Sequence, residues 1–340
     1  MYRHFLPGPH KVGVNKKRSI GKIRFGRVQE LFCQGYHKNK INLKKELHTA
    51  YMALGLVSFL WGTTFIASRI GAQHMPGLFV SGVRQFSSGL IMVSFFLLRG
   101  YRLPTWTDLR KISLQGILML CIANGLLTWS LEYINSGLAA TIAALVPLFI
   151  TLFTMLLSRC ARITRLMLAG LVIGFIGVLT IFYNYAGQMK SNSFVFGVVL
   201  ALLSTLIWAF GTVYTARRKA SINILFNVGL QMFIAGVVLL IVCFISGKYV
   251  NLADTGHASW YALLYLIVFG SLIAYSSYVF AISKLPPTLV SIYAYINPIV
   301  AVAFGWLLLQ ERLNANMLLG TAITLGGIYL VNREFKTKKT

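Results

Sequence analysis

The sequence predicts an all-α integral membrane fold, with ten transmembrane helices in two inverted five-helix repeats and both termini cytoplasmic. Three observations predict it. The 340 residues are 57% hydrophobic and 11% charged, whereas a soluble domain carries roughly a quarter charged residues. A soluble globular protein is therefore excluded. The apolar residues gather into ten runs of about the length that crosses a bilayer as a helix. The 32 Lys+Arg, against 7 Asp+Glu, fall almost entirely in alternate gaps between those runs.

The runs are, in order, Tyr51–Ile70, Leu78–Leu98, Ile112–Leu131, Leu138–Ser158 and Leu166–Tyr183, then Phe194–Thr215, Ile222–Ser246, Trp260–Ile282, Pro287–Leu309 and Met317–Val331. A helix satisfies every backbone group within the hydrocarbon. None of the runs alternates as a barrel strand does. The gaps are short and hold Gly, Pro, Asn or charge, the residues of helix-ending turns. The organisation that follows is a basic cytoplasmic tail (1–49), a first repeat (50–186), a second repeat (194–333) and a short basic tail (334–340).

Loop charge orients the chain. With the N-terminus inside, 27 of the 32 basic residues lie in cytoplasmic segments, and only Lys190, Lys248 and Arg312 lie outside. That split follows the positive-inside rule. The remaining two, Arg69 and Arg84, fall within spans or at their edges. Residues 1–49 carry 12 of the basic residues but no apolar core of 7–15 residues, so they are no cleavable signal peptide. A disordered extension, a segment held on anionic lipid and a start codon further downstream all remain open for this tail. Charge spread this way suits a bilayer and not a nucleic acid.

The two halves repeat. Trp61-Gly62-Thr63 in the first run meets Trp208 and Gly211-Thr212 in the sixth. Leu138 through Val146-Pro147-Leu148 meets Leu289 through Asn297-Pro298-Ile299. Met167-Leu168-Ala169-Gly170 with Gly177 meets Met317-Leu318-Leu319-Gly320 with Gly327. Each half has an odd number of spans, so the second enters from the opposite side. Inverted repeats are characteristic of secondary transporters that alternate access to a central site.

The stretch Trp61-Gly62-Thr63-Thr64-Phe65-Ile66-Ala67-Ser68-Arg69 and the motif Val83-Arg84-Gln85-Phe86 resemble the drug/metabolite transporter superfamily, as ten-helix permeases with two EamA-type repeats. So do Glu132-Tyr133-Ile134-Asn135-Ser136-Gly137-Leu138-Ala139, the pair Pro147 and Pro298, and Gln310-Glu311-Arg312-Leu313 before Gly320. The resemblance covers about residues 50–333. The chain departs from the family in having Thr64 where Asn is usual and Cys160-Ala161 where a Glu is expected. The resemblance implies export or exchange of small metabolites, often amino acids, across a plasma (inner) membrane.

Polar residues inside the runs are the candidate machinery. An arginine at bilayer depth costs about 2.5–3.5 kcal/mol unless it faces a partner or a wet cavity. Arg84 and Arg69 are read either as gate contacts to Glu132 or a carbonyl, or as sites for a substrate carboxylate. Trp61, Trp129, Trp208, Tyr275, Tyr278, Tyr293 and Tyr295 lie within spans, near the amides and hydroxyls of Asn124, Thr64, Thr212, Ser276 and Asn297. Such a set suits a substrate with an apolar body and a polar end, although interhelical hydrogen bonds are the plainer use of these groups. The candidate substrate contacts are Trp61, Thr64, Arg84, Asn124, Trp208, Thr212, Tyr275, Tyr295 and Asn297, and the candidate gate or hinge residues are Arg69, Glu132, Pro147 and Pro298. Both prolines are expected mid-helix, where each frees the carbonyl four residues back, of Ala143 and Ala294.

Other classes fare worse. The carboxylates (Glu30, Glu46, Asp108, Glu132, Asp254, Glu311 and Glu334) and all six histidines lie in tails, loops or span ends. That leaves no intramembrane relay for proton coupling and no acid, base, nucleophile or metal set for an integral membrane enzyme. Asp254 and His257 read as a solvated loop. Cys33, Cys121, Cys160 and Cys243 are dispersed without metal or disulfide spacing, and no Gly-rich phosphate loop is present. Neither cofactor nor metal is expected. The expected function is a secondary transporter for small metabolites, with amino acids or related compounds as substrates, and a multidrug or other metabolite permease as the alternative. Gly170-x-x-x-Gly174 permits close helix packing, within one chain or in a homodimer.

Overall fold

A computed structural model describes residues 40–157, 165–184, 187, 190–217, 222–250, 255–310 and 315–337. The expectations for residues 1–39, Cys160, Asp254, Glu311 and Arg312 lie outside these. The described residues from Leu47 onward form one compact unit.

In chain order the helices are α1 (Lys40–His74), α2 (Gly77–Leu98), α3 (Trp106–Gly116), α4 (Asn124–Ser130), α5 (Ser136–Ala143), α6 (Val146–Leu157) and α7 (Arg165–Asn184). They continue with α8 (Asn192–Ala216), α9 (Ile224–Ile245), α10 (His257–Tyr265), α11 (Ala274–Lys284), α12 (Pro287–Val290), α13 (Tyr293–Leu309) and α14 (Ala315–Thr337). Two π-helical segments, Ile117–Ala123 and Leu266–Ile273, join α3 to α4 and α10 to α11. Each of the ten apolar runs is mostly helical over its described residues, and no strand occurs among the described residues. Seven stretches are long and apolar enough to cross a membrane; the fifth, ninth and tenth runs are carried by the shorter apolar helices Leu168–Gly177, Tyr293–Leu309 and Leu318–Gly327.

Asparagine side chains cap the starts of α5 and α9. Asn135 Oδ1 accepts from the Leu138 N–H at 2.8 Å. Asn223 Oδ1 accepts from those of Leu225 at 2.9 Å and Phe226 at 3.3 Å. These are N-caps that satisfy otherwise orphaned donors. Counterpart helices α2 and α9 also end alike. Gly100 (φ 81°) and Gly247 (φ 66°) take the left-handed conformation, and the next N–H bonds back, from Tyr101 to the Phe96 carbonyl (3.1 Å) and from Lys248 to the Cys243 carbonyl (2.9 Å). Glycine adopts this turn without steric cost.

The prolines act differently from the expectation. The fourth run breaks at Ala144–Leu145, and Pro147 is the second residue of α6, where its missing N–H has no intrahelical partner to lose. Pro147 is thus not mid-helix. The ninth run breaks at Ser291–Ile292, while Pro298 does sit inside α13.

Packing joins the repeats through counterpart helices, α2 against α9 and α7 against α14. Both crossings are built on glycine. A Cβ on Gly89 would lie 2.2 Å from the Phe233 nitrogen, and one on Gly236 2.2 Å from the Phe86 nitrogen. On the other crossing, a Cβ on Gly177 would lie 2.4 Å from the Thr324 nitrogen, and one on Gly327 2.3 Å from the Gly174 nitrogen. Backbones therefore touch, and dispersion between them replaces side-chain packing. The Gly170-x-x-x-Gly174 motif is used within the chain. Leu98, Leu156, Phe244 and Ile245 are among many large apolar side chains left exposed, an outer surface that matches hydrocarbon rather than water.

Candidate functional site

Residues of both repeats line a partly open cavity of about 70 Å³. One wall is aromatic. The Trp61 ring lies 5.3 Å from that of Trp208, 4.9 Å from Tyr278 and 4.9 Å from Tyr293 between centroids. Tyr275 lies 6.3 Å from Trp208. All but the tilted Trp61–Tyr278 pair are edge-to-face, a geometry that adds to the burial of the rings. Each polar tip is tied off. Trp208 Nε1 donates to the Tyr293 hydroxyl at 2.8 Å, and the Tyr275 hydroxyl donates to Gln231 Oε1 at 2.7 Å. Trp61 Nε1 donates to the Gly270 carbonyl at 3.3 Å.

That last bond belongs to a wider pattern. A π-helical turn loosens the i−4 hydrogen-bond ladder, and here side chains bond carbonyls of both π segments. Gly270 is served by Trp61, Ile267 by Ser88 Oγ (3.3 Å) and Ala123 by Ser204 Oγ (2.7 Å). The π segments are therefore pinned beside the cavity, with a residue of the first repeat bonding the second and the reverse.

The lining also carries a charge. Arg84, on α2, is 5% exposed and lines the cavity. Its Nε donates to Ser271 Oγ at 2.7 Å. Among the described residues no carboxylate lies within ion-pair distance of it; the one salt bridge found joins Lys111 to Asp108. Gly270 leaves the guanidinium its room, since a Cβ there would stand 2.9 Å from Arg84 Nη2. Asn124 and Gln85 line the cavity too. Asn124 Oδ1 accepts from Ser81 Oγ (3.0 Å) and Gln85 Nε2 (3.3 Å). A buried cation needs a compensating anion or water, and the cavity provides space for either.

Seven of the nine candidate contacts line this cavity: Trp61, Thr64, Arg84, Asn124, Trp208, Tyr275 and Asn297. The other two do not. Thr212 donates to the Trp208 carbonyl at 2.8 Å and shares a 2.6 Å bond with the Tyr278 hydroxyl, behind the aromatic wall. Tyr295 lies off the cavity and Tyr293 takes its place. Asn297, with its amide turned to donate, bonds the carbonyls of Tyr293 (3.0 Å) and Ser58 (3.1 Å), so it also joins α13 to α1.

None of the gate candidates Arg69, Glu132, Pro147 and Pro298 lines the cavity, although each directly follows a residue that does. Arg69 donates through Nη1 to the Leu131 carbonyl. Glu132 Oε1 accepts from the Gly77 N–H at 2.5 Å, placing negative charge at the start of α2, where the helix dipole favours it. Together they clamp the chain after α4 to the end of α1 and the start of α2, and Arg69 meets a carbonyl. Gln85, Ser68 and Thr128 line the cavity without having been singled out as contacts. Gln85 and Ser68 had a sequence signal, each standing beside an arginine in a family-like stretch, and Thr128 had none. Among the described residues no group of three His, Cys, Asp or Glu side chains is placed to hold a metal ion.

A family model described as EamA-like transporter family matches residues 48–183 and again 195–333. The uncharacterised inner membrane transporter YedA of Escherichia coli K12 is 34% identical over 289 residues, covering 84% of this chain and 92% of its own length. The uncharacterised transporter YoaV of Bacillus subtilis is 25% identical over 290 residues, covering 84% and 98%. A crystal structure of a chain 18% identical superposes with a TM-score of 0.64, covering 86% of this chain and 99% of that one.

Proposed function

Since the chain belongs to the EamA-like transporter family and is a multi-pass membrane transporter, we propose that it exports or exchanges small metabolites bearing a carboxylate, amino acids among them. Transport proceeds by alternating access at the cavity between the two repeats. The observation that carries this reading is Arg84, a buried guanidinium on the cavity wall with a serine hydroxyl for a partner and no carboxylate. An anion on the substrate supplies the missing charge, and the aromatic wall accepts an apolar body.

Ten crossings, cytoplasmic termini and residence in the inner membrane complete the proposal. The positive-inside split supports the orientation, and the packing of α7 on α14 supports treating those shorter helices as a crossing pair. Proton coupling has no place in it, because the polar groups on the cavity wall named above include no carboxylate and no histidine.

Counterflow in proteoliposomes with a panel of labelled amino acids tests the proposal, with the native protein run beside Trp61→Ala and Arg84→Gln. Saturable exchange of one chemical class, weakened in both variants, is the expected result. Exchange of no amino acid by folded protein removes the carboxylate role of Arg84 and turns the search to other metabolites. Uphill transport driven by a pH gradient alone would overturn the uncoupled mechanism.

A further inference from the structure

Beside Arg84 the structure holds a second polar group that its own fold leaves unsatisfied. Gln85 is 1% exposed and lines the cavity. Its Nε2 is committed to Asn124 Oδ1 at 3.3 Å, while its Oε1 is buried with no hydrogen-bond partner. In the orientation the structure gives both amides, Asn124 Oδ1 accepts from Ser81 Oγ and Gln85 Nε2, and the oxygen of Gln85 is left as the free end. A buried acceptor without a donor is costly, and native interiors seldom keep one without a use.

We propose that Gln85 is a specificity-determining residue: its Oε1 accepts a hydrogen bond from an ammonium, amide or hydroxyl group carried by the substrate close to the carboxylate that Arg84 receives. This deepens the carboxylate reading above and rests on it. Two adjacent residues then read two adjacent substrate groups of opposite hydrogen-bonding character. Arg84 is donor only and Gln85 Oε1 is acceptor only. A carboxylate without a neighbouring donor leaves the Gln85 oxygen unpaired in the closed site. Sites built around a polar group reject analogues that lack it far more strongly than apolar pockets reject a missing methylene.

Displacement of bound radiolabelled leucine and phenylalanine from the purified full-length protein in detergent tests this without interference from acids that permeate vesicles. The competitors are each amino acid, its 2-hydroxy acid and the same acid with no substituent on C2 (4-methylpentanoate and 3-phenylpropanoate). On the native protein the unsubstituted acids are expected to compete at least about tenfold more weakly than the amino and hydroxy acids. In Gln85→Leu that gap closes to about twofold or less. Gln85→Glu, which keeps an acceptor, retains the preference for the amino acid and guards against a folding defect in the leucine variant.

Equal competition by substituted and unsubstituted acids on the native protein overturns the role of Gln85 and leaves the carboxylate reading standing. A gap that persists in Gln85→Leu also overturns it. Failure of the folded protein to bind either label overturns both readings.

Discussion

Arg84 shows how one residue sets the character of a site. Charge-assisted hydrogen bonds to a substrate carboxylate are worth about 1.5–3 kcal/mol, so Arg84→Gln is expected to lower counterflow of carboxylate substrates roughly 10- to 100-fold at unchanged expression. Arg84→Lys keeps the charge without the planar fork and should fall between. Gly270→Ala tests the same group from behind. Its new Cβ would meet Arg84 Nη2 and Thr64 Cγ2, each at 2.9 Å. Expected is a raised KM with the melting temperature within a few degrees of native, whereas Gly55→Ala, with nothing within 4 Å, leaves both unchanged. Arg84 was legible in the sequence because a charge stands out in an apolar run. Tyr293 was not separable from Tyr295, because the turn at Ser291–Ile292 resets the helical phase that would assign each ring to a face. Thr212 shares the Trp208 side of α8, four residues on, yet its hydroxyl turns back to the Trp208 carbonyl and to Tyr278. Spacing alone does not reveal such back-bonding.

Among the elements, the interrupted helices distinguish this fold from a plain bundle. The two prolines were a fair sequence signal that the fourth and ninth runs bend, but they do not mark the breaks themselves. Pro147→Ala at the start of α6 should therefore change little, while Pro298→Ala restores an interior N–H to α13. Comparing their counterflow rates checks this, with the larger change expected for Pro298→Ala. The π segments left no trace in the sequence, since one extra residue per turn changes neither composition nor apolar pattern. Glycine, by contrast, carried a usable signal. Gly326→Ala has open space and gains helix propensity, by up to about 1 kcal/mol, so its melting temperature in detergent should hold or rise. Gly327→Ala drives a methyl into the backbone at Gly174 and should lower it, since overpacking costs about 1–3 kcal/mol or more. Equal melting temperatures for the two variants would contradict the crossing described.

Over the whole molecule, hydropathy made the helical runs readable because the bilayer imposes length and apolarity on every crossing. It was blind to which helices pair. Lipid-facing and protein-facing apolar residues look alike in sequence, and within α2 the small residues, among them Gly77 and Gly89, are what hint at the side that meets another backbone. The pairing matters for more than packing. At both glycine crossings one backbone comes from each half of the chain, and across the cavity Trp61 of one half bonds Gly270 of the other while Ser204 returns the bond to Ala123. Each half therefore lacks the surfaces that complete it. Made separately, 1–187 and 188–340 should each be degraded or aggregate; synthesised together in one cell they should co-purify and recover exchange. The link between them would then be a convenience of synthesis, and the working unit an intramolecular heterodimer whose two partners happen to share one gene.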